Sequence, residues 1–250
     1  MLSPIQRLTS PFREFGFFGG FFYAIDRIFL RLSRSLRVYF YDLMVQPILE
    51  KPLLPERLTR NLQVREIRRG DPEMELMPAP PEIKESRFRQ NAICLGAFTK
   101  SEFIGYIWFC FNAYEEDEVR CKFLLTSPND SVFDFDLYLF PEHRMGLGFA
   151  GIWSAANQFL SNRGIKYSFS RLTRSNIASR RAHQHLGWKC VGHTVFVQAW
   201  RVEFMMATIS PYVNLSMRKS GRVRLSLNPD VFRVAAPHYE PPKENPEHGD

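Results

Sequence analysis

Val132-Phe133-Asp134-Phe135-Asp136-Leu137-Tyr138-Leu139-Phe140, running into Pro141-Glu142-His143-Arg144-Met145-Gly146-Leu147-Gly148, is the stretch whose reading decides the fold. The first part alternates. Phe133, Phe135, Leu137 and Leu139 fall on one face and Asp134, Asp136 and Tyr138 on the other, the period of a half-buried strand. Pro141 ends the ladder because it has no N–H to donate. Past the glycines, Phe149, Ile152, Trp153, Ala156 and Leu160 recur at helical spacing, and Gly164 supplies a stop. A strand therefore feeds through a Gly-containing turn directly into a helix. Such a turn aims several backbone N–H groups at one point, with the helix dipole behind them, and suits a phosphate. Arg144 adds a positive charge beside it.

Working outward toward the C-terminus, Ile165 to Ser170 reads as a second short strand. A helix follows, capped by Ser175 or Asn176 and ended by Gly187 in the left-handed conformation. Gly146 and Gly148 match a pyrophosphate loop of the form Gln/Arg-x-x-Gly-x-Gly/Ala, with His143 in the Gln/Arg position. Asn176, Ser179, Gly187 and Trp188 match a second motif, with His183 where a Tyr is customary. Together these residues resemble the acyl-CoA-binding core of the GNAT N-acetyltransferase superfamily, over roughly residues 132–197.

The resemblance implies an α+β fold, a mixed and mostly antiparallel central sheet flanked by helices. It implies an N-acetyltransferase that moves acetyl from acetyl-CoA to a primary amine of a small molecule or peptide by direct attack on the thioester, with no metal. Arg144, Met145, Gly146, Leu147, Gly148 and Phe149 would hold the pyrophosphate. Leu139 and Phe140, near a strand bulge, would pair with the pantetheine arm and supply the oxyanion donor, and Asn176 and Ser179 would border that arm. His183, in the Tyr position, would return a proton to the thiolate. From the residues themselves, Asp134 and Asp136 point the same way, and adjacent like charges raise one pKa toward that of a useful base. Asp136 lies closer to the loop and is the better base, with Asp134 solvated or paired to an arginine. Tyr138 continues the same face, lining the substrate channel or donating into it. The alternative is a catalytically silent CoA-binding module tethered to a membrane or partner by its N-terminal helices.

The chain of 250 residues carries a net charge of +7, mostly from arginine. That suits CoA phosphates or an acidic surface. No zinc-finger, homeodomain or RNA-recognition pattern is present, so nucleic acid is not an expected partner. Cys94, Cys110, Cys121 and Cys190 are widely spaced and suggest neither disulfide framework nor metal site, which fits a reducing cytoplasm.

Residues 1–60 read as an N-terminal amphipathic helical extension. Phe15 to Ile25 is apolar but too short to span a bilayer, and it lacks signal-peptide flanks. Arg27, Arg31 and Arg34 share one helical face, with Ile28, Phe29, Leu32 and Leu36 opposite. Residues 15–36 therefore either contact an anionic membrane peripherally or pack on the protein's own core with the arginines in water. Residues 61–210 read as the transferase domain, starting with a strand at Leu62–Ile67 and including a hairpin turning at Lys100-Ser101. The Pro-rich stretch from Asp71 to Pro81 leaves room for one short helix where the superfamily has two acceptor-side helices. Glu115-Glu116-Asp117-Glu118 reads as a solvated loop, 211–228 as a hairpin packed on the domain, and 229–250 as a disordered tail.

Overall fold

Runs rich in β-branched and aromatic residues form the strands of this protein, whose computed structural model describes Phe21 and residues 36–100, 102–144, 147–174, 176–217 and 221–233. Nine strands make one sheet. Their order is β11 (Val213–Met217), β10 (Val202–Ala207), β9 (Lys189–Ala199), β1 (Leu36–Pro47), β8 (Tyr167–Thr173), β7 (Ser131–Leu139), β4 (Glu102–Phe111), β3 (Ile93–Thr99) and β2 (Leu62–Ile67). All neighbours run antiparallel except β7 and β8. That parallel pair needs a crossover, and the helix after the glycines provides it. This helix, α4 (Gly148–Ser161), buries Ile152, Trp153, Ala156 and Leu160 against Ile107, Phe109 and Val132 on one face of the sheet. Gly164, at φ +76°, turns the chain back.

The opposite face is covered by a small second sheet of β12 (Val223–Leu227), β6 (Cys121–Leu125) and β5 (Ala113–Glu115). Tyr114 stacks on Phe133 and Phe135 at centroid distances of 5.0 and 4.1 Å, and Phe123 stacks on Phe133 at 5.0 Å. The remaining described helices are α1 (Glu56–Thr59), α2 (Glu73–Leu76), α3 (Pro81–Arg89), α5 (Ile177–Gln184) and α6 (Asp230–Arg233). Among the described residues no helix is long and apolar enough to cross a membrane. The strand at Leu62–Ile67, the hairpin through Lys100 and the α+β architecture stand as expected. Between Asp71 and Gln90 two short helices form, α2 and α3, rather than one.

Several expectations are corrected. Residues 36–47 are no helical extension: β1 lies in the middle of the sheet, paired with β8 on one edge and β9 on the other. Tyr41, Asp42, Leu43, Met44, Val45 and Gln46 are all buried. A strand covered on both faces is apolar without alternation, so its sequence resembles a second amphipathic segment. The sheet therefore includes residues 36–47, well before residue 61, and the arginine-striped residues 22–35 lie outside the described residues. Residues 211–228 are no hairpin either. β11 pairs with β10, whereas β12 crosses to the second sheet and runs parallel to β6. Of the tail, Asp230–Arg233 is helical, and the rest lies outside the described residues.

The acidic run is not simply a solvated loop, although Glu118 is exposed. Glu116 is buried and bound by Arg171 through Nη2 at 2.6 Å and Nε at 3.0 Å. Asp117 receives Arg87, and Glu118 receives both Arg171 and the Tyr41 hydroxyl. Two strands, β1 and β8, and α3 deliver these cations and donors to one loop, which fastens the second sheet to the first.

The central strand also departs from simple alternation. Tyr106 on β4 faces Tyr138, but Trp108 faces Phe135, so two steps along β4 match three along β7. The extra residue is a β-bulge at Asp136–Leu137, with Asp136 at φ +47°. Asp is one of the few non-glycine residues that tolerates this region. Across the bulge a Cβ on Gly105 would collide with the Tyr138 carbonyl oxygen, so only glycine fits there. The bulge swaps faces: Phe133 and Phe135 pack toward the second sheet, while Leu137 and Leu139 pack toward α4.

Candidate active site

Beyond Phe133 and Phe169 the parallel strands part. β7 continues to Leu139 and β8 to Thr173 with no further pairing between them, while β4 holds β7 and β1 holds β8 from outside. Two strand edges thus face each other across a wedge, with backbone groups available to an extended ligand arm. A cavity of about 170 Å³ opens there, lined by Asp134, Leu137, Ser170, Asn176, Ser179 and His183 among others.

Asp134 sits at the narrow end, one residue beyond the last paired position, and is only 3% exposed. Its Oδ1 and the Ser168 hydroxyl are both buried without a hydrogen-bond partner. Burial pushes its carboxyl up to about 8, and the Ser170 and Ser168 side chains offset only part of that. Asp136, one bulge away, has the opposite surroundings. Arg87 Nη1 donates to its Oδ2 at 2.5 Å, and the Tyr106 hydroxyl lies at 3.4 Å. Arg87 is itself buried, shared with Asp117, and lies over the rings of Trp108 and Phe135. Both aspartates border the cavity, but the one expected to be the base, Asp136, is held by Arg87 in a half-buried ion pair. Asp134, expected to be solvated, is the carboxyl at the wedge.

His183 is placed in the wedge as the helical stripe of Asn176, Ser179 and His183 predicts, but in a different protonation state. It is 4% exposed, with Phe149 and Trp153 edge-on to its ring at 5.5 and 5.8 Å. Desolvation lowers its pKa to about 4, so it is neutral at physiological pH. Its Nδ1 lies 3.0 Å from Gln46 Oε1 on β1. With that oxygen as acceptor, Nδ1 carries the ring proton and Nε2 is left as an acceptor, which corrects the role of proton donor. Nothing in the sequence near Gln46 marks it as this partner, because it reaches the site only through the insertion of β1 beside β8.

The remaining expected residues divide. Phe140 N–H donates to Ile104 O and Leu139 O accepts from Arg144 Nε, so neither of these backbone groups is free for a ligand. Arg144 folds back, its guanidinium over the Tyr138 ring at 5.4 Å rather than beside the turn. Tyr138 is half-buried and stacks on Tyr106, on the face of Asp136 and away from α4. Met145 and Gly146 lie outside the described residues. Leu147 is the N-cap of α4 and is exposed. Gly148 opens the helix where a Cβ would press on the His143 carbonyl oxygen. The first intrahelical acceptor is Leu147 O, taken by Gly151 N–H, so the amides of Gly148, Phe149 and Ala150 have no partner within the helix. His143 Nε2 lies 3.4 Å from Glu102 Oε1. Asn176 caps α5, its Oδ1 accepting from Ser179 N–H at 3.1 Å, and Gly187 closes the helix region at φ +74°.

No family model matches the chain, and no curated protein does. Solved structures similar to it include a conserved protein of unknown function from Staphylococcus epidermidis, 12% identical, covering 69% of this chain and 65% of that one, TM-score 0.44. A tandem GNAT protein from the clavulanic acid biosynthesis pathway is 15% identical, covering 65% of this chain and 53% of that one, TM-score 0.44. AAC(6')-Iy, solved with a bisubstrate analogue of CoA, is 19% identical, covering 50% of this chain and 89% of that one, TM-score 0.38. This chain thus spans less than two thirds of the length of the first two. Of these three, the clavulanic acid pathway protein is described as a GNAT protein.

Proposed function

We propose that the protein is an acyl-CoA-dependent N-acyltransferase that moves acetyl to a primary amine, with Asp134 as the base. The observation that carries this reading is the buried carboxyl of Asp134, its Oδ1 without a hydrogen-bond partner, at the point where β7 and β8 separate. The pantetheine arm of acetyl-CoA would lie in the wedge between the open strand edges, and the pyrophosphate against the first amides of α4. The amine nitrogen attacks the thioester carbon, the C–S bond breaks, and CoA leaves as thiolate. The nitrogen's proton passes to Asp134, whose raised pKa makes it an effective acceptor near neutral pH. A thiol pKa of about 8.5 makes the thiolate a tolerable leaving group without His183 as acid. His183 with Phe149 and Trp153 forms the dry wall of the wedge.

The test is thiol release from acetyl-CoA across a panel of amines, with mass spectrometry of the products. Amine-dependent release should rise with pH, with a midpoint near pH 8 and a plateau above pH 9, and Asp134→Asn should lower kcat by roughly 10²–10⁴-fold and remove that limb. Acetyl-CoA binding without release for any amine would leave the silent CoA-binding module.

A further inference from the structure

His183 is anchored at the closed end of the wedge. Its Nδ1 donates to Gln46 Oε1 at 3.0 Å, and Gln46 on β1 aligns with Ser168 on β8, which aligns with Val132 on β7. That row lies just below Phe133 and Phe169, the last pair before the strands part. Asp134 is on the same face of β7 as Val132, two residues on and about 7 Å along the strand. The anchored imidazole and the buried carboxyl therefore belong to the same end of the gap.

A glutamine oxygen can only accept, so it holds the ring proton on Nδ1 and leaves Nε2 as a bare acceptor. No described residue bonds Nε2, and His183 borders the same cavity as Asp134. Phe149 and Trp153, edge-on to the ring, keep water from its sides. Burial keeps the ring neutral, so the acceptor persists across the physiological pH range. Acceptors in so dry a place call for donors. The cavity offers two of them at one end, Asp134 Oδ1 and His183 Nε2. A neutral primary amine carries two N–H groups and one lone pair. With each N–H on one acceptor, the lone pair is left to face the thioester carbon.

We propose that His183 Nε2 accepts one N–H of the attacking amine while Asp134 takes the other, and that Gln46 is the positioning residue that keeps His183 in the accepting tautomer. This role rests on the acyl-transfer reading and narrows its acceptor to an unhindered primary amine. As the C–N bond forms and the C–S bond breaks, CoA leaves as thiolate and the N–H on Asp134 gives up its proton. The N–H on His183 stays and becomes the N–H of the product amide. A secondary amine has a single N–H, so it leaves one acceptor unmet in a dry site.

Two amines of similar reach, n-butylamine and N-methylbutylamine, test the contact in the full-length protein. His183→Leu removes the acceptor at similar volume, with circular dichroism as the check on folding. The lost hydrogen bond should lower kcat/KM for butylamine by about ten-fold. The N-methyl amine should lose less, so the primary-to-secondary ratio falls by nearly the same factor. A ratio equal to that of wild type would mean that the methyl is excluded by size alone, and would overturn the proposal. Nitrogen-15 NMR of the wild-type imidazoles reads the same contact without turnover. The His183 resonances, assigned by their loss in His183→Leu, should show a protonated Nδ1 and a bare Nε2. Butylamine added with CoA should move the Nε2 resonance and leave Nδ1 in place. No movement would overturn the proposal whether or not acetyl transfer is found. Movement without amine-dependent thiol release would uphold the contact and remove the transferase reading. Gln46→Leu should let the proton exchange between the two nitrogens and bring down the same ratio. A ring still protonated on Nδ1 alone in that variant would overturn the positioning role of Gln46.

Discussion

Asp134 and Asp136 are two residues apart on one strand, yet the fold treats them in opposite ways. On the second-sheet side of the bulge, Asp136 joins Asp117 around Arg87, and nearby Glu116 and Glu118 bind Arg171. Every charge there has a partner. On the α4 side, Asp134 has a buried oxygen with none and a carboxyl pushed up to about 8. A density of charged side chains therefore marks architecture here, and the chemically available group is the one the fold leaves unsatisfied.

The largest effect that could break this contrast is the pH dependence of stability. The folded-state pKa of Asp134 is raised above its unfolded value of 3.8. Its contribution is therefore fully present below about pH 4 and is lost as pH rises through 8. Each unit corresponds to about 1.4 kcal/mol, so the loss over that range approaches about 6 kcal/mol as an upper bound. Asp134→Asn should remove this decline, unfolding at higher denaturant than wild type at pH 9. Urea titrations at pH 5 and 9 that move wild type and Asn variant in parallel would deny Asp134 its raised pKa.

Removing the shared cation tests the other side. Arg87→Ala leaves Asp117 and Asp136 facing each other without compensation, and should cost about 3–5 kcal/mol, read as a fall in the denaturation midpoint. A loss within experimental error would mean the clasp is solvated after all.

His183 gives a smaller effect of the opposite sign. Its folded pKa is lowered from 6.5 to about 4, so its contribution is present above pH 6.5 and is lost as pH falls through 4, on the order of 3 kcal/mol. His183→Gln should blunt that acid sensitivity in thermal melts between pH 7 and 4. An unchanged acid limb would place a solvated, chargeable imidazole at this position.

The smallest expected effect sharpens the contrast most. Asp136→Asn keeps a hydrogen bond to Arg87 and removes a charge not used in catalysis, so kcat should stay within about ten-fold of wild type, well inside the 10²–10⁴ typical of a lost acid or base. A collapse of kcat in this variant, with Asp134→Asn active, would return the base to Asp136.

Much of this was legible in the residues. The strand ending at Pro141, the helix after Gly148, the cap at Asn176 and the stop at Gly187 all stand where local propensity and spacing put them. These features are legible because each is decided within a few residues. The wedge was legible only through resemblance, since a gap between strands has no local signature.

The sequence by itself therefore determined the α+β class, the strand–turn–helix core and the helix stripe that carries His183. Only the tertiary structure decided that β1 belongs inside the sheet, that the acidic run is a clasp, and that Asp134 faces the wedge. The physical reason is the same in each case. Strand insertion, charge pairing and the one-residue slip of a bulge depend on partners distant in the chain: Gln46 for His183, Arg171 for Glu116, and the register of β4 for the two faces of β7.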